Sequence, residues 1–271
     1  MSVLSSVLLI LAGIYILALS YTYFNQDWII FARGYDTPVR AVEQMKNAEP
    51  FKVEVADGMT LDGAYIKGDD PQKSVLLVFA GNSQDALIIA ENVHYFLPEH
   101  DVIGVNYRGY GRSEGVPSEE AILKDALITF DKTRDRFPDK EIVIYGQSLG
   151  TSVASYVAAH RETSGTILIT PFDSMEALGK AKYPWLPVGL LVKHSFKSVD
   201  FVKGITEPLS VLTAEEDLVV PKAHSDRLIE ALPVKPFLAT VPGGHNGIFI
   251  QKGFKDYLDA SIRHFSDQQA E

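Results

Sequence analysis

Two hydrophobic patterns alternate along this chain. Residues 74–81, SVLLVFAG, form an unbroken apolar run of the kind a strand buried on both faces requires. The next segment, about 84–97, has apolar residues at helical spacing, and DVIGVNYRG (101–109) returns to a strand pattern. SEEAILKDALITFDKTRDRF (118–137) is again helical, with acidic residues in its first turn where the helix dipole favours negative charge. EIVIYG (141–146), TILIT (166–170), PLSVLTA (208–214) and PFLATV (236–241) read as further strands, with a small-residue helix to about 160 and a final helix over about 246–265. Ahead of them, FKVEVADGMTLDGAYIKG (51–68) gives two alternating runs around Asp57-Gly58, a hairpin signal. An opening hairpin followed by β-α-β-α repetition predicts an α/β fold: a mostly parallel sheet with helices on both faces. In such sheets function collects in the loops beyond the carboxyl ends of the strands.

Two stretches depart from the alternation. Val3 to Phe24 is apolar without a charged side chain, and as a helix it is long enough to cross a hydrocarbon core of about 30 Å. Tyr21, Tyr23 and Trp28 fall where an interfacial aromatic belt lies. Ala18-Leu19-Ser20 is a small-x-small cleavage pattern, but the charged leader of a signal peptide is missing and the apolar run is too long, so a retained anchor is the expected reading. Arg33, Arg40 and Lys46 follow the span, and positive-inside logic puts the body in the cytoplasm. The second departure is 171–207, a connection too long for ordinary punctuation, with the apolar, proline-marked middle Tyr183-Pro184-Trp185-Leu186-Pro187. It reads as a lid. The expected plan is an anchor over 1–26, a connector over 27–49 and one domain over 50–271, with the lid insert at 171–207.

Composition narrows the chemistry. The chain has 271 residues and a net charge of −10, which argues against a nucleic-acid partner because no basic stripe supplies phosphate contacts. It has no cysteine, so a disulfide framework, a thiolate nucleophile and a cysteine zinc site are excluded. The sequence carries neither a metal-ligand cluster nor a dinucleotide fingerprint, because GNSQD after the strand lacks the third glycine; no cofactor is expected.

The strongest chemical signal is Gly146-Gln147-Ser148-Leu149-Gly150, with a strand before it and a small-residue helix after it. A nucleophile on so sharp a turn needs tiny neighbours two residues either side, which Gly146 and Gly150 provide, and the helix start beneath it favours developing negative charge. Serine is a weak nucleophile without a base. Of seven histidines, His94, His100, His160, His224 and His264 lie in or beside helical segments, where a solvated surface histidine is the plain reading, and His194 lies in the lid. His245 follows the last strand and so reaches the same sheet end as Ser148. The acid that orients such a base is Asp217, at the end of PLSVLTA, with Asp173 after the preceding strand as the rival and Glu215 and Glu216 nearby. The order Ser148, Asp217, His245 is the one expected on this kind of sheet.

From about 50 to 267 the chain resembles the α/β-hydrolase serine enzymes. The resemblance rests on NYRGYGRSEGVPSEE, GQSLG, EEDLVVPKAHSDRL and GGHN in the family's order. It is most similar to the small membrane-anchored group that includes the protein depalmitoylases and uncharacterised bacterial relatives. The resemblance implies two-step acyl transfer on an ester or thioester, with an oxyanion held by the main-chain N–H groups of Leu149 and Asn82. Where the family often has His-Gly-Asn-Ala-Gly, this chain has Ala80-Gly81-Asn82-Ser83-Gln84, and Ala214 and Glu215 stand where glycine is common nearby. The expected activity is a membrane-anchored serine hydrolase acting on lipid-like acyl groups, with a small-molecule ester or thioester and the membrane as partners. Two alternatives stay open: a catalytically silent binding protein of the same fold, and a serine peptidase. Arg108 and Arg112 are read as structural rather than as an anion site.

Overall fold

The computed structural model describes residues 2–32, 39–56, 58–251 and 253–269. Its first element, α1 (Val3–Ile30), begins on a cap in which Ser2 Oγ accepts from the Ser5 N–H. The helix has 28 residues, about 42 Å at 1.5 Å per residue, so it outruns the apolar stretch and carries Gln26 and Asp27 in its last turns. Its most apolar window is not covered by the rest of the protein.

The predicted hairpin forms but is short. β1 (Ala48–Pro50) is followed by β2 (Val53–Glu54) and β3 (Thr60–Leu61), which pair only with each other, and then by β4 (Gly63–Ile66). β4 joins the main sheet antiparallel, between β1 and a later strand. Asp57 of the turn, and Arg33 of the charges that suggested orientation, lie outside the described residues.

The alternation then proceeds as β5 (Val75–Phe79), α2 (Ala86–Phe96), β6 (Asp101–Val105), α3 (Glu119–Arg136), β7 (Ile142–Gln147), α4 (Leu149–Ala158) and β8 (Gly165–Ile169). The 171–207 segment holds three short helices, α5 (Met175–Lys182), α6 (Val188–Leu191) and α7 (Ser198–Phe201). β9 (Leu209–Ala214), α8 (Lys222–Glu230), β10 (Phe237–Val241) and α9 (Gly253–Gln269) complete the body. Strand β6 stops four residues earlier than its pattern predicts. Asn106 leaves the sheet because its side chain is used elsewhere: Oδ1 accepts from the Ala86 N–H at 2.7 Å, and Nδ2 donates to Asp85, the residue that caps α2. The predicted last helix is likewise two pieces, a 3-10 turn at His245–Ile250 and then α9, separated by extended backbone at Gln251.

The eight-stranded sheet has the order β1-β4-β6-β5-β7-β8-β9-β10, and every pairing from β6 to β10 is parallel. One face is covered by α3, α4 and α8, the other by α2 and α9. Strands β5, β6, β7 and β8 are therefore buried at every position, which is why their sequences are apolar without alternation. The strand order reverses at β5, so the crevice past the carboxyl ends of β5 and β7 is the place where a ligand fits.

Candidate active site

Four strand ends converge on that crevice. β7 runs straight into Ser148, which adopts φ 50° and ψ −117°, a conformation an L-residue holds only when its surroundings enforce it. The enforcement is visible in the neighbouring glycines. A Cβ on Gly146 would lie 2.5 Å from the Gly150 carbonyl and 2.6 Å from Ala154 Cβ. A Cβ on Gly150 would lie 2.0 Å from the Phe79 carbonyl oxygen. Helix α4 thus packs directly on β7 and β5, and the turn between strand and helix is forced to be sharp.

His245 Nε2 lies 2.9 Å from Ser148 Oγ, and His245 Nδ1 lies 2.7 Å from Asp217 Oδ2. The Asp217 carboxylate is held from the other side, where Oδ1 accepts from the Val219 N–H at 2.9 Å and the Val220 N–H at 2.7 Å. Imidazole and carboxylate are both nearly buried, with side-chain exposures of 6% and 5%. The loops that bring them together are tied to each other: Glu215 N–H donates to Val241 O and Glu216 N–H to Gly243 O. Gly243 has φ 95°, a region only glycine enters without strain.

The rival acid has other partners. Asp173 accepts from Arg227 Nε at 2.6 Å and lies 2.8 Å from His224 Nδ1, so it belongs to a separate buried cluster beside the site. His224 and His100 are not the solvated surface histidines that their helical context predicts, being 4% and 3% exposed. His224 lies on the buried face of α8 and lines the site cavity, and His100 meets Ser74 Oγ at 2.9 Å. His94 and His264 are half-buried, which leaves His160 as the exposed one of the five. His194 is also buried and bonds to Asp27 of α1. Arg108 is structural: its guanidinium grips Asp125 through Nε and Nη2, both at 2.7 Å.

After β5, residues 80–84 pass beside the serine. A Cβ on Gly81 would lie 3.3 Å from Ser148 Cβ. This loop is pinned at Ala80, whose carbonyl accepts from Tyr107 O–H at 2.9 Å, and at Gly81, whose N–H donates to Gln84 Oε1 at 2.7 Å. Burial pushes the Tyr107 hydroxyl well above its ordinary pKa, so it stays a donor. Among the described residues the main-chain N–H groups of Asn82 and Leu149 have no acceptor, and both residues line the cavity with Ser148. Ser148 is the residue before α4 and its side chain does not cap the helix, which leaves the helix start open.

The cavity measures about 870 Å³. Leu178, Leu186 and Leu191 of the 171–207 segment and Leu218 and Val219 of the loop after β9 line it, together with Ile29 from α1. Its rim is apolar and open: Leu218 is 93% exposed and Trp185 60%. Among the described residues no carboxylate lines it. Among the described residues no group of three or more metal-ligating side chains occurs.

The hydrolase family model described as serine aminopeptidase, S33, matches residues 70–197. An uncharacterised protein of Mycobacterium tuberculosis is 33% identical over 226 residues, covering 80% of this chain and 79% of that protein. An uncharacterised membrane protein of Saccharomyces cerevisiae is 29% identical over 255 residues, covering 88% of each. A lysophosphatidylserine lipase of Xenopus tropicalis is 34% identical over 140 residues, 45% of this chain but 36% of that larger protein. A solved Pyrococcus furiosus esterase superposes with a TM-score of 0.65 over 86% of this chain and 99% of its own, at 17% identity, a likeness of fold. The chain has the family's sheet, its elbow between strand and helix, and relatives matched over most of their length: it belongs to the α/β-hydrolase superfamily.

Proposed function

We propose that the protein is a membrane-anchored serine hydrolase that cleaves ester or thioester bonds of lipid-like acyl substrates. One observation carries the reading: Ser148 Oγ sits 2.9 Å from an imidazole that is itself 2.7 Å from a buried carboxylate, in a large apolar cavity. In this reading His245 takes the proton of Ser148 as the oxygen attacks the acyl carbonyl. The N–H groups of Leu149 and Asn82 bind the tetrahedral oxyanion, each such donor being worth about 3 kcal/mol of barrier. The alkoxide or thiolate leaves with the proton from His245, and water activated by the same histidine releases the acid from Ser148. Asp217 holds the ring and stabilises its charged form.

The substrate class follows from the walls. Six leucine, isoleucine and valine side chains named above face a space that no carboxylate lines among the described residues, which suits an acyl chain. A peptide amino terminus brings an ammonium group and needs a counter-charge, so the aminopeptidase in the family description is a poor match here. The lipase name borne by a relative favours an amphiphile. The uncovered apolar length of α1 and the yeast relative described as a membrane protein favour an anchor over 1–26, with a connector over 27–49 and the catalytic body over 50–271. Arg40 and Lys46 after the helix favour the cytoplasmic side. Hydrolysis of a series of p-nitrophenyl esters and acyl thioesters of increasing chain length, on wild type and Ser148→Ala, tests the proposal. Long-chain preference and loss of turnover in the variant are expected; a short-chain preference would discard the lipid-like substrate, and surviving turnover the mechanism.

A further inference from the structure

The end of α1 is built into the site. Gln26 in its penultimate turn is 4% exposed, and its amide donates to Leu191 O at 3.0 Å and accepts from the Lys193 N–H at 2.7 Å, both in the lid. Asp27 Oδ1 lies 3.0 Å from His194 Nε2, and Tyr15 O–H donates to Trp185 O at 2.9 Å. Thr22, Gln26, Ile29 and Ile30 line the cavity that holds Ser148.

The last contact reaches the loop after β5. Asn82 Nδ2 donates to Ile30 O at 2.7 Å, and Asn82 Oδ1 accepts from the Ala32 N–H at 3.1 Å and from Tyr110 O–H at 2.7 Å. A helix end leaves its last carbonyls without intrahelical partners, and here a side chain 52 residues away satisfies one of them. The Asn82 amide is therefore tied through Nδ2 to the last residue of α1 and through Oδ1 to Ala32 just beyond it, to Tyr110 and to the Ser83 N–H, while its own main-chain N–H remains without an acceptor among the described residues.

We infer that the carboxyl end of α1 is a positioning element of the catalytic site: it latches Asn82 so that the loop presents its N–H to the substrate oxyanion, and it walls the acyl cavity. This rests on the serine-hydrolase reading above. The helix thereby couples membrane insertion to catalysis. Ile30 lies six residues past Phe24, the end of the apolar stretch, or roughly 9 Å along the axis. The bond to be cut is held close to the membrane interface, and an acyl chain passes from the bilayer along α1 into the cavity.

The test uses the full-length protein in mixed micelles, with turnover expressed per active site titrated by a fluorophosphonate probe. Asn82→Ala deletes the bonds to Ile30 and Ala32, together with those from Tyr110 and Ser83, and keeps the main-chain N–H; Ala32→Pro and Asn82→Asp isolate the helix side. Its kcat is expected to fall between about tenfold and about 10³-fold, the range for a misplaced or lost oxyanion donor, with KM changed less than threefold. Ala32→Pro removes the donor from the helix side, and Asn82→Asp keeps the acceptors but loses the donor to Ile30. Both are expected to lower kcat less than Asn82→Ala, and Ala32→Pro combined with Asn82→Ala is expected to add nothing further. A purely structural role would lower the melting temperature or the titre and leave kcat per site alone. Ile29→Trp is expected to shift the preferred acyl chain to shorter lengths, whereas Leu9→Ala, far from the site, leaves it unchanged. If kcat per titrated site in Asn82→Ala stays within twofold of wild type, or the losses in the double variant multiply, the latch is wrong even though Ser148 still labels. If wild type does not label at all, the underlying hydrolase reading fails instead.

Discussion

Replacing Gly150 with alanine tests whether the elbow is as tight as its geometry implies. The added Cβ would lie 2.0 Å from Phe79 O and 2.6 Å from Ala80 O, where real Cβ contacts essentially never fall below 3.0 Å. Relief therefore needs about 1 Å of movement, and the obstacle is the main chain at the end of β5, a central strand that cannot step aside like a side chain. Overpacking costs about 1–3 kcal/mol when side chains absorb it, so a backbone collision belongs at the top of that range, about 3 kcal/mol. At roughly 2–4 °C per kcal/mol for a chain of this size, the melting temperature in detergent should drop by roughly 6–12 °C. The push also falls on the root of the loop that carries Asn82, and a misplacement near 1 Å costs about 10² in turnover. Gly247→Ala is the internal control, since nothing lies within 4 Å of its added Cβ, and it should change stability by less than about 0.5 kcal/mol. Thermal melts and turnover per titrated site on the two variants read both effects. A Gly150→Ala protein within 2 °C of wild type and with full turnover would refute the close approach of α4 to β5.

Two further predictions separate roles that the sequence leaves side by side. Asp217→Asn should lower kcat by about 10⁴, because the imidazole loses the partner that fixes its tautomer, whereas Asp173→Asn should keep most of kcat. Its cost should appear instead as about 1–3 kcal/mol of stability in a urea titration, because His224 and Arg227 lose a buried acceptor. His100 gives a pH signature. Burial pushes its pKa below the ordinary 6.5, so it stays neutral in the fold while the unfolded chain takes up a proton. Its stabilising share is complete above about pH 6.5 and declines as pH falls below that value towards the depressed folded pKa. The difference in urea midpoint between pH 7 and pH 5 should therefore be smaller in His100→Asn than in wild type.

The parts of the molecule legible in the sequence are those fixed by local pattern. Unbroken apolar runs such as VLLVF mark strands covered on both faces, and G-Q-S-L-G between a strand and a helix marks the turn at Ser148. What was not legible depends on contacts between distant residues. The helix α1 continues past its apolar stretch because Gln26 finds partners 165 and 167 residues away, in the lid. Nothing local in Tyr-Phe-Asn-Gln-Asp-Trp reports that. His224 reads as exposed because α8, KAHSDRLIE, is mostly polar, yet that turn faces the sheet, with Ser225 donating to Pro171 O and His224 meeting Asp173. Ala80, in place of a histidine, weakens the expectation for the loop after β5, and the support lies instead in Tyr107, Tyr110 and the end of α1.

The most direct test of the account is to locate the covalent adduct. Full-length protein in micelles is treated with a fluorophosphonate carrying a long alkyl chain, digested, and mapped by mass spectrometry. The account predicts one adduct per chain on Ser148, blocked by prior incubation with a long-chain acyl ester, and lost in Ser148→Ala and His245→Ala. An unmodified Ser148, or equal modification in His245→Ala, would contradict it.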